Sequence, residues 1–219
     1  MRLELQSVGL SFGSNEPQFE DVDLSVEGGD LVIIEGPSGC GKSNLLRLLN
    51  RLHEPTTGQL LIDGASAVDS DTVNLRRRAI LVAQTPTVRQ GTVRDNLCWP
   101  FTFRVNRRWT RPTDDMLRRR LDGLLLQEVA LDDETRTLSV GQRQRLALLG
   151  ALLLEPEILL CDEPTASLDG ASRAAVETQL ETRCTAGAGV VVVTHQDITT
   201  FSTTVRRTRL HRHGLQETA

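Results

Sequence analysis

The sequence predicts an α/β fold built on a mainly parallel sheet, and three observations carry that expectation. The runs LVIIE (31–35), EILLC (157–161) and VVVV (190–193) are apolar on both faces. This is the pattern of central strands covered by helices on each side. Runs with apolar residues three and four apart follow several of the strands. Strands and helices therefore alternate along the chain, as parallel α/β sheets require.

In chain order, strands are expected at Leu3–Val8, Val22–Val26, Leu31–Glu35, Gln59–Ile62, Ala79–Ala83, Ile158–Cys161 and Gly189–Val193. The first of these opens the chain with alternating apolar and polar residues, which reads as a strand and not as a signal peptide. Helices are expected over Lys42–Leu52, where Leu45, Leu48, Leu49 and Leu52 make one face, over Gly141–Leu154 and over Ala171–Cys184. The stretch Thr92–Leu131 differs, with Trp99, Pro100, Trp109, Pro112 and a basic cluster over Arg104–Arg111. It reads as part of a mostly helical lobe set into the α/β core, with a helix over Thr113–Val129. The tail after Arg206 is polar and basic, and reads as one short strand and a loose end.

The bulk numbers bound the function. The 219 residues are 39% hydrophobic and 25% charged, enough for a real core. The net charge of -4 argues against a nucleic-acid partner. No apolar run is long enough to cross a bilayer: the longest, Leu146–Leu154, is interrupted by Gly150. Cys40, Cys98, Cys161 and Cys184 form no C-x-x-C pair and read as reduced thiols of a cytosolic protein.

Two motifs carry chemistry. Residues 36–43 read GPSGCGKS and satisfy G-x-x-x-x-G-K-[ST], with an apolar strand before and an amphipathic helix after. Glycines there let successive N–H groups turn inward as an anion nest, and the helix start adds its own unsatisfied donors. Lys42 can then reach β- and γ-phosphates, and the Ser43 hydroxyl can ligate Mg²⁺. The second motif is ILLCDE (158–163), an apolar strand ending in two acids where open α/β sheets bind ligands. Asp162 is placed to hold Mg²⁺, and Glu163 to polarise an attacking water as general base.

With these motifs in place, residues 138–142, LSVGQ, resemble the ABC signature LSGGQ, and RQRLALLGALLLEP and ILLCDEPTASLD follow in the order of ABC ATPases. Gln84 resembles the Q-loop glutamine, Ser167–Asp169 the D-loop and His195 the switch histidine. Phe12 stands where the family has an adenine-stacking aromatic. The resemblance covers nearly the whole chain. It implies a P-loop NTPase fold with a RecA-like core (about 1–84 and 156–219), an N-terminal antiparallel β portion and an inserted helical subdomain (about 85–155). It implies ATP and Mg²⁺ as ligands: Phe12, Gly36, Pro37, Ser38, Gly39, Cys40, Gly41, Lys42, Ser43 and Asn44 on the nucleotide, and Ser43, Gln84 and Asp162 on the metal. Glu163, His195, Gln84 and Lys42 would carry hydrolysis. Ser139, Gly141, Gln142 and Asp169 would complete the site of a second subunit in a head-to-tail homodimer.

Two positions depart from the family pattern. Asn44 stands where Thr is usual but can still hydrogen-bond a phosphate. Val140 replaces the first signature glycine, at an expected cost in backbone freedom. The implied partner is a separate integral membrane permease, with the chain peripheral on the inner face of the cell membrane. The turn QGTVRDNL and the run around it resemble the ATP-binding subunits of iron-efflux ABC transporters, which points to export of a metal or small solute. Trp99–Trp109 is the expected groove for the permease. A soluble, non-transport ABC ATPase, as in iron–sulfur cluster assembly, is the alternative. A different P-loop enzyme, such as a kinase, would leave LSVGQ, Gln84 and His195 unexplained.

Overall fold

The computed structural model describes every residue except 14–15, 108, 196–200, 202–203 and 219. Its strands are β1 (Leu3–Leu10), β2 (Phe19–Val26), β3 (Leu31–Glu35), β4 (Thr57–Ile62), β5 (Ala65–Ser66), β6 (Ala79–Val82), β7 (Ile158–Asp162), β8 (Gly189–Val193), β9 (Val205–His211) and β10 (Gly214–Glu217). Its α-helices are α1 (Lys42–Leu49), α2 (Thr72–Arg78), α3 (Val93–Cys98), α4 (Asp114–Asp122), α5 (Val140–Leu152) and α6 (Gly170–Thr185).

Two sheets result. An antiparallel one runs β2-β1-β4-β5, and a second runs β10-β9-β3-β8-β7-β6. In the second, β9, β3, β8, β7 and β6 are parallel, and β10 closes one edge antiparallel to β9. The two-faced apolar runs explain its place at the centre. Leu31, Ile33, Leu159, Cys161, Val190 and Val192 point into one core, shared with α5, α6 and the helical stretch. Val32, Ile34, Ile158, Leu160, Val191 and Val193 point into another, shared with α1 and the antiparallel sheet. Side chains that alternate along a strand serve both faces at once.

Three expectations need correction. The helix expected over Thr113–Val129 ends at Asp122. Leu125 takes a left-handed backbone (φ 53°), so the leucines beyond it reach the core from turns. The tail is not a loose end: β9 pairs in register with β3, and β10 folds back on β9. Arginines made that strand look like surface, but Arg207 and Arg209 reach Glu35 at 3.4 and 3.5 Å while Thr208 and Leu210 point inward. Val140 lies in the first turn of α5 with a right-handed backbone and a side chain 53% exposed, so its branched carbon meets no special demand there. Among the described residues, no helix is long and apolar enough to cross a membrane.

Candidate active site

Among the described residues, five of the six α-helices begin with a side chain that caps their free N–H groups: Asp71, Thr92, Thr113, Ser139 and Asp169. Helix α1 does not. It begins at Gly41 with no side-chain cap and no acid in its first turn. Uncapped donors at a helix start are an anion site. The loop before α1 bends to leave them open, with Gly36, Gly39 and Gly41 at φ 153, 80 and 105°. At Gly41 a Cβ would meet the Phe19 ring at 2.7 Å, so the position admits only glycine.

The loop lines a cavity of about 660 Å³ together with Lys42, Ser43, Asn44, Arg47, Gln18, Gln84, Glu163 and His195. Lys42 is 7% exposed and folds back, Nζ donating to the carbonyls of Gly36 (2.7 Å) and Pro37 (3.0 Å). A phosphate oxygen is a stronger, charge-assisted acceptor for the same ammonium. Pro37 and Ser38 are exposed on the loop, and Cys40 is half-buried with its sulfur packed under Gly36.

The two acids at the end of β7 have opposite surroundings. Asp162 is buried, and its Oδ1 has no hydrogen-bond partner. Burial pushes its pKa up and neighbouring Glu163 adds to this, while the Ser43 hydroxyl and the charges of Arg47 and Lys42 pull it back. An orphaned carboxylate oxygen beside a serine hydroxyl is a hard-oxygen donor set, which fits Mg²⁺. Glu163 instead has both oxygens engaged: Gln84 Nε2 donates to Oε2 at 3.1 Å, and His195 Nδ1 lies 3.0 Å from Oε1. Its backbone is left-handed (φ 49°), unusual for glutamate and a sign of local strain. Three bonds hold it there: its N–H donates to the Val193 carbonyl at 2.9 Å, and its carbonyl accepts from Gln144 Nε2 at 2.9 Å and from Ala166 N at 3.2 Å.

Residues 19–166 match the family model described as ABC transporter. The chain belongs to the ABC transporter family. It is 39% identical over 175 residues to Protein STAR1 of Oryza sativa subsp. japonica, covering 80% of this chain and 49% of that protein. It is 34% identical over 207 residues to the phosphate import ATP-binding protein PstB of Shewanella denitrificans, covering 88% of this chain and 74% of that one. The chain spans about half the length of several curated relatives it matches. The ATP-binding cassette MJ0796, solved as a dimer in a post-hydrolysis state with ADP and Pi, superposes with a TM-score of 0.78 at 28% identity over 99% of this chain and 97% of that one. The fold is thus that of the ABC cassettes, a P-loop NTPase fold with one antiparallel and one mainly parallel sheet.

The remaining family positions lie apart from the cavity. Ser139, Gly141 and Gln142 are not among its lining residues. Ser139 and Gln142 form a reciprocal capping box at the start of α5, Ser139 N donating to Gln142 Oε1 at 2.8 Å and Gln142 N to Ser139 Oγ at 3.2 Å. Gly141 packs on the D-loop, where an added Cβ would lie 3.0 Å from Leu168. Asp169 caps α6 through Ser172, which holds its carboxyl below the usual range. Phe12 is half exposed and does not line the cavity; its ring meets His53 edge-on with centroids 5.7 Å apart. Trp99 lines an apolar groove of about 260 Å³ with Ile80, Leu97, Leu146, Gly150 and Leu154. Trp109, expected in the same groove, instead lies under the Arg77 guanidinium at 3.8 Å. Of the basic cluster 104–111, residue 108 lies outside the described residues.

Sequence reasoning missed Gln144, Gln18 and Arg47. The first holds the backbone of Glu163, and the other two line the cavity. No motif marks them; only a polar residue recurring inside an otherwise apolar helix face hints at Gln144, which is 4% exposed.

Proposed function

We propose that this chain is the ATP-hydrolysing nucleotide-binding subunit of an ABC transporter, closing head to tail on a second copy around ATP and driving a separate membrane permease. The observation that carries this reading is the uncapped first turn of α1, which opens into the same cavity as Glu163, Gln84 and His195.

Phosphates bound at the loop draw Lys42 away from the Gly36 and Pro37 carbonyls. Ser43, Gln84 and Asp162 hold Mg²⁺, which when bound neutralises phosphate oxygens and orients the triphosphate. Phe12 stacks on the adenine. Gln84 leaves Glu163 for this role and frees one carboxylate oxygen to accept a proton from water. His195 holds the other side of Glu163 and faces the terminal phosphate. Ser139, Gly141 and Gln142 of a second copy bring a further helix N-terminus, with Asp169 holding the start of α6 beside it.

The lobe over about 85–155 is the part we assign to the permease. Its apolar groove begins on β6, and β6 ends two residues before Gln84. A permease helix seated there bears on the residue that touches Glu163. The chain would then sit on the inner face of the membrane. Cargo and direction rest on the resemblance around QGTVRDNL, which supports outward movement of a metal or small solute through the permease.

A tagged Glu163→Gln chain, purified with ATP from solubilised native membranes, tests the assignment. A multi-span protein in stoichiometric amount supports the transporter reading. Only soluble proteins, with the bait absent from membranes, would move the reading to a soluble ABC ATPase. Iron accumulating in cells that lack the chain would support iron export, and unchanged metal content would remove it.

A further inference from the structure

Part of the cavity wall takes no part in the steps above. Arg47 Nη1 donates to Asn44 Oδ1 at 2.9 Å, Asn44 Nδ2 donates to Gln18 Oε1 at 2.7 Å, and Gln18 Nε2 donates to the Gly39 carbonyl at 3.3 Å. A guanidinium has only donors. Arg47 therefore obliges Asn44 to turn its oxygen toward α1 and its nitrogen toward Gln18. Gln18 must then offer its oxygen to Asn44 and its nitrogen to the loop. The orientation of both amides follows from one cation.

The stem of Gln18 lies on the same loop. A Cβ added at Gly41 would be 2.9 Å from Gln18 Cγ, so the side chain spans from Gly41 to Gly39, two glycines with left-handed backbones. Gln18, Gly39, Gly41, Asn44 and Arg47 all line the cavity, with Lys42 and Ser43. Each amide nitrogen carries two N–H groups and uses one. The second has no protein acceptor among the described residues.

We propose that Gln18 is a positioning residue for the nucleotide, braced through Asn44 by Arg47, which sets the phosphate loop at Gly39 and, with Asn44, presents spare amide N–H groups to the phosphate oxygens. This rests on the reading of the cavity as an ATP site. It also gives a reason for asparagine where the family has threonine: the carboxamide both accepts from Arg47 and donates across to Gln18.

The test uses the full chain and ATP, with affinity read by equilibrium dialysis and KM and kcat by phosphate release. Gln18→Met keeps the stem on Gly41 and removes both hydrogen bonds. ATP affinity should fall about three- to tenfold, the worth of a neutral hydrogen bond, with KM rising in step and kcat little moved. Gln18→Glu still accepts from Asn44 but turns a carboxylate toward the Gly39 carbonyl and the phosphates, and should lose more affinity than the methionine. Asn44→Leu should lose at least as much as Gln18→Met, and the double variant should lose less than the product of the two single effects, because the bond between them is broken only once. Wild-type affinity in Gln18→Met would overturn the proposal, as would single effects that multiply in the double variant. A wild-type chain that fails to bind ATP would overturn the functional reading itself, a distinct result.

Discussion

Replacing Gln144 tests how the fold holds the proposed catalytic base. The amide of Gln144 donates to the Glu163 carbonyl at 2.9 Å from a side chain 4% exposed. Gln144→Leu keeps the volume and removes the donor. The Glu163 carbonyl keeps the Ala166 N–H at 3.2 Å, so losing the Gln144 donor costs about 0.5–1.5 kcal/mol, the net worth of one hydrogen bond. For a chain of this size each kcal/mol shifts the melting temperature by about 2–4 °C, so a loss near the middle of that range lowers it by about 2–4 °C. The second effect falls on rate. Glu163 sits in a left-handed backbone that costs about 1–3 kcal/mol and persists only while its surroundings enforce it. Freed from Gln144, the peptide can relax and carry the carboxylate out of line. A displacement of about 1 Å at a reacting group costs about a hundredfold in rate. Gln144→Leu should therefore bind ATP normally and hydrolyse it about 10–100-fold more slowly. The assay is a thermal melt beside single-turnover phosphate release. A lowered melting temperature with wild-type turnover would show that the bond serves the fold alone and would refute the positioning argument.

Other perturbations separate binding from chemistry. Glu163→Gln should bind ATP and lose turnover by about a hundredfold or more, as for a missing general base, and a wild-type rate of phosphate release would remove Glu163 from that role. Lys42→Ala should weaken ATP about 10–100-fold, the worth of hydrogen bonds to a charged group, in equilibrium dialysis; unchanged affinity would count against the phosphate loop. Asp162→Asn should raise the melting temperature of the nucleotide-free chain at neutral pH. Burial raises the Asp162 pKa above its unfolded value, so the ionised form opposes folding, and the gain should shrink as pH falls toward about 4, where the group protonates in both states. A melting temperature below wild type at neutral pH would contradict this.

What was legible in the sequence was contiguous. GPSGCGKS and ILLCDE each hold their chemistry in a few adjacent residues, and the strands that carry them are apolar on both faces. What was hidden is long-range. Gln144 meets Glu163 across 19 residues, and Gln18 meets Asn44 across 26. Neither pair leaves a periodic trace, and glutamine by itself carries no chemical signal. Strand β9 was masked by its arginines, whose partners on β3 lie more than 170 residues earlier. Helix α4 was overextended for the opposite reason: Leu121, Leu124, Leu126 and Val129 keep an apolar pattern past the turn, although only Leu121 is helical.

Several departures from ordinary rules meet in and beside the cavity. Among the α-helices of the described residues α1 alone lacks a side-chain cap, Asp162 keeps a buried oxygen without a partner, and Glu163 holds a left-handed backbone. Lys42 is nearly buried with only neutral carbonyls to receive its charge. Each departure carries a cost that a structural role would have removed, since Ser139 and Asp169 show that this chain caps its helices where it can. Their signs also agree. The open helix start and Lys42 call for anionic oxygen, whereas Asp162 calls for a cation. A lone anion would leave Asp162 unsatisfied, and a lone metal would leave Lys42 and the helix start unsatisfied. A polyphosphate carrying its own divalent cation satisfies all of them together, which is why the same cavity argues for a nucleotide triphosphate rather than for phosphate or metal alone.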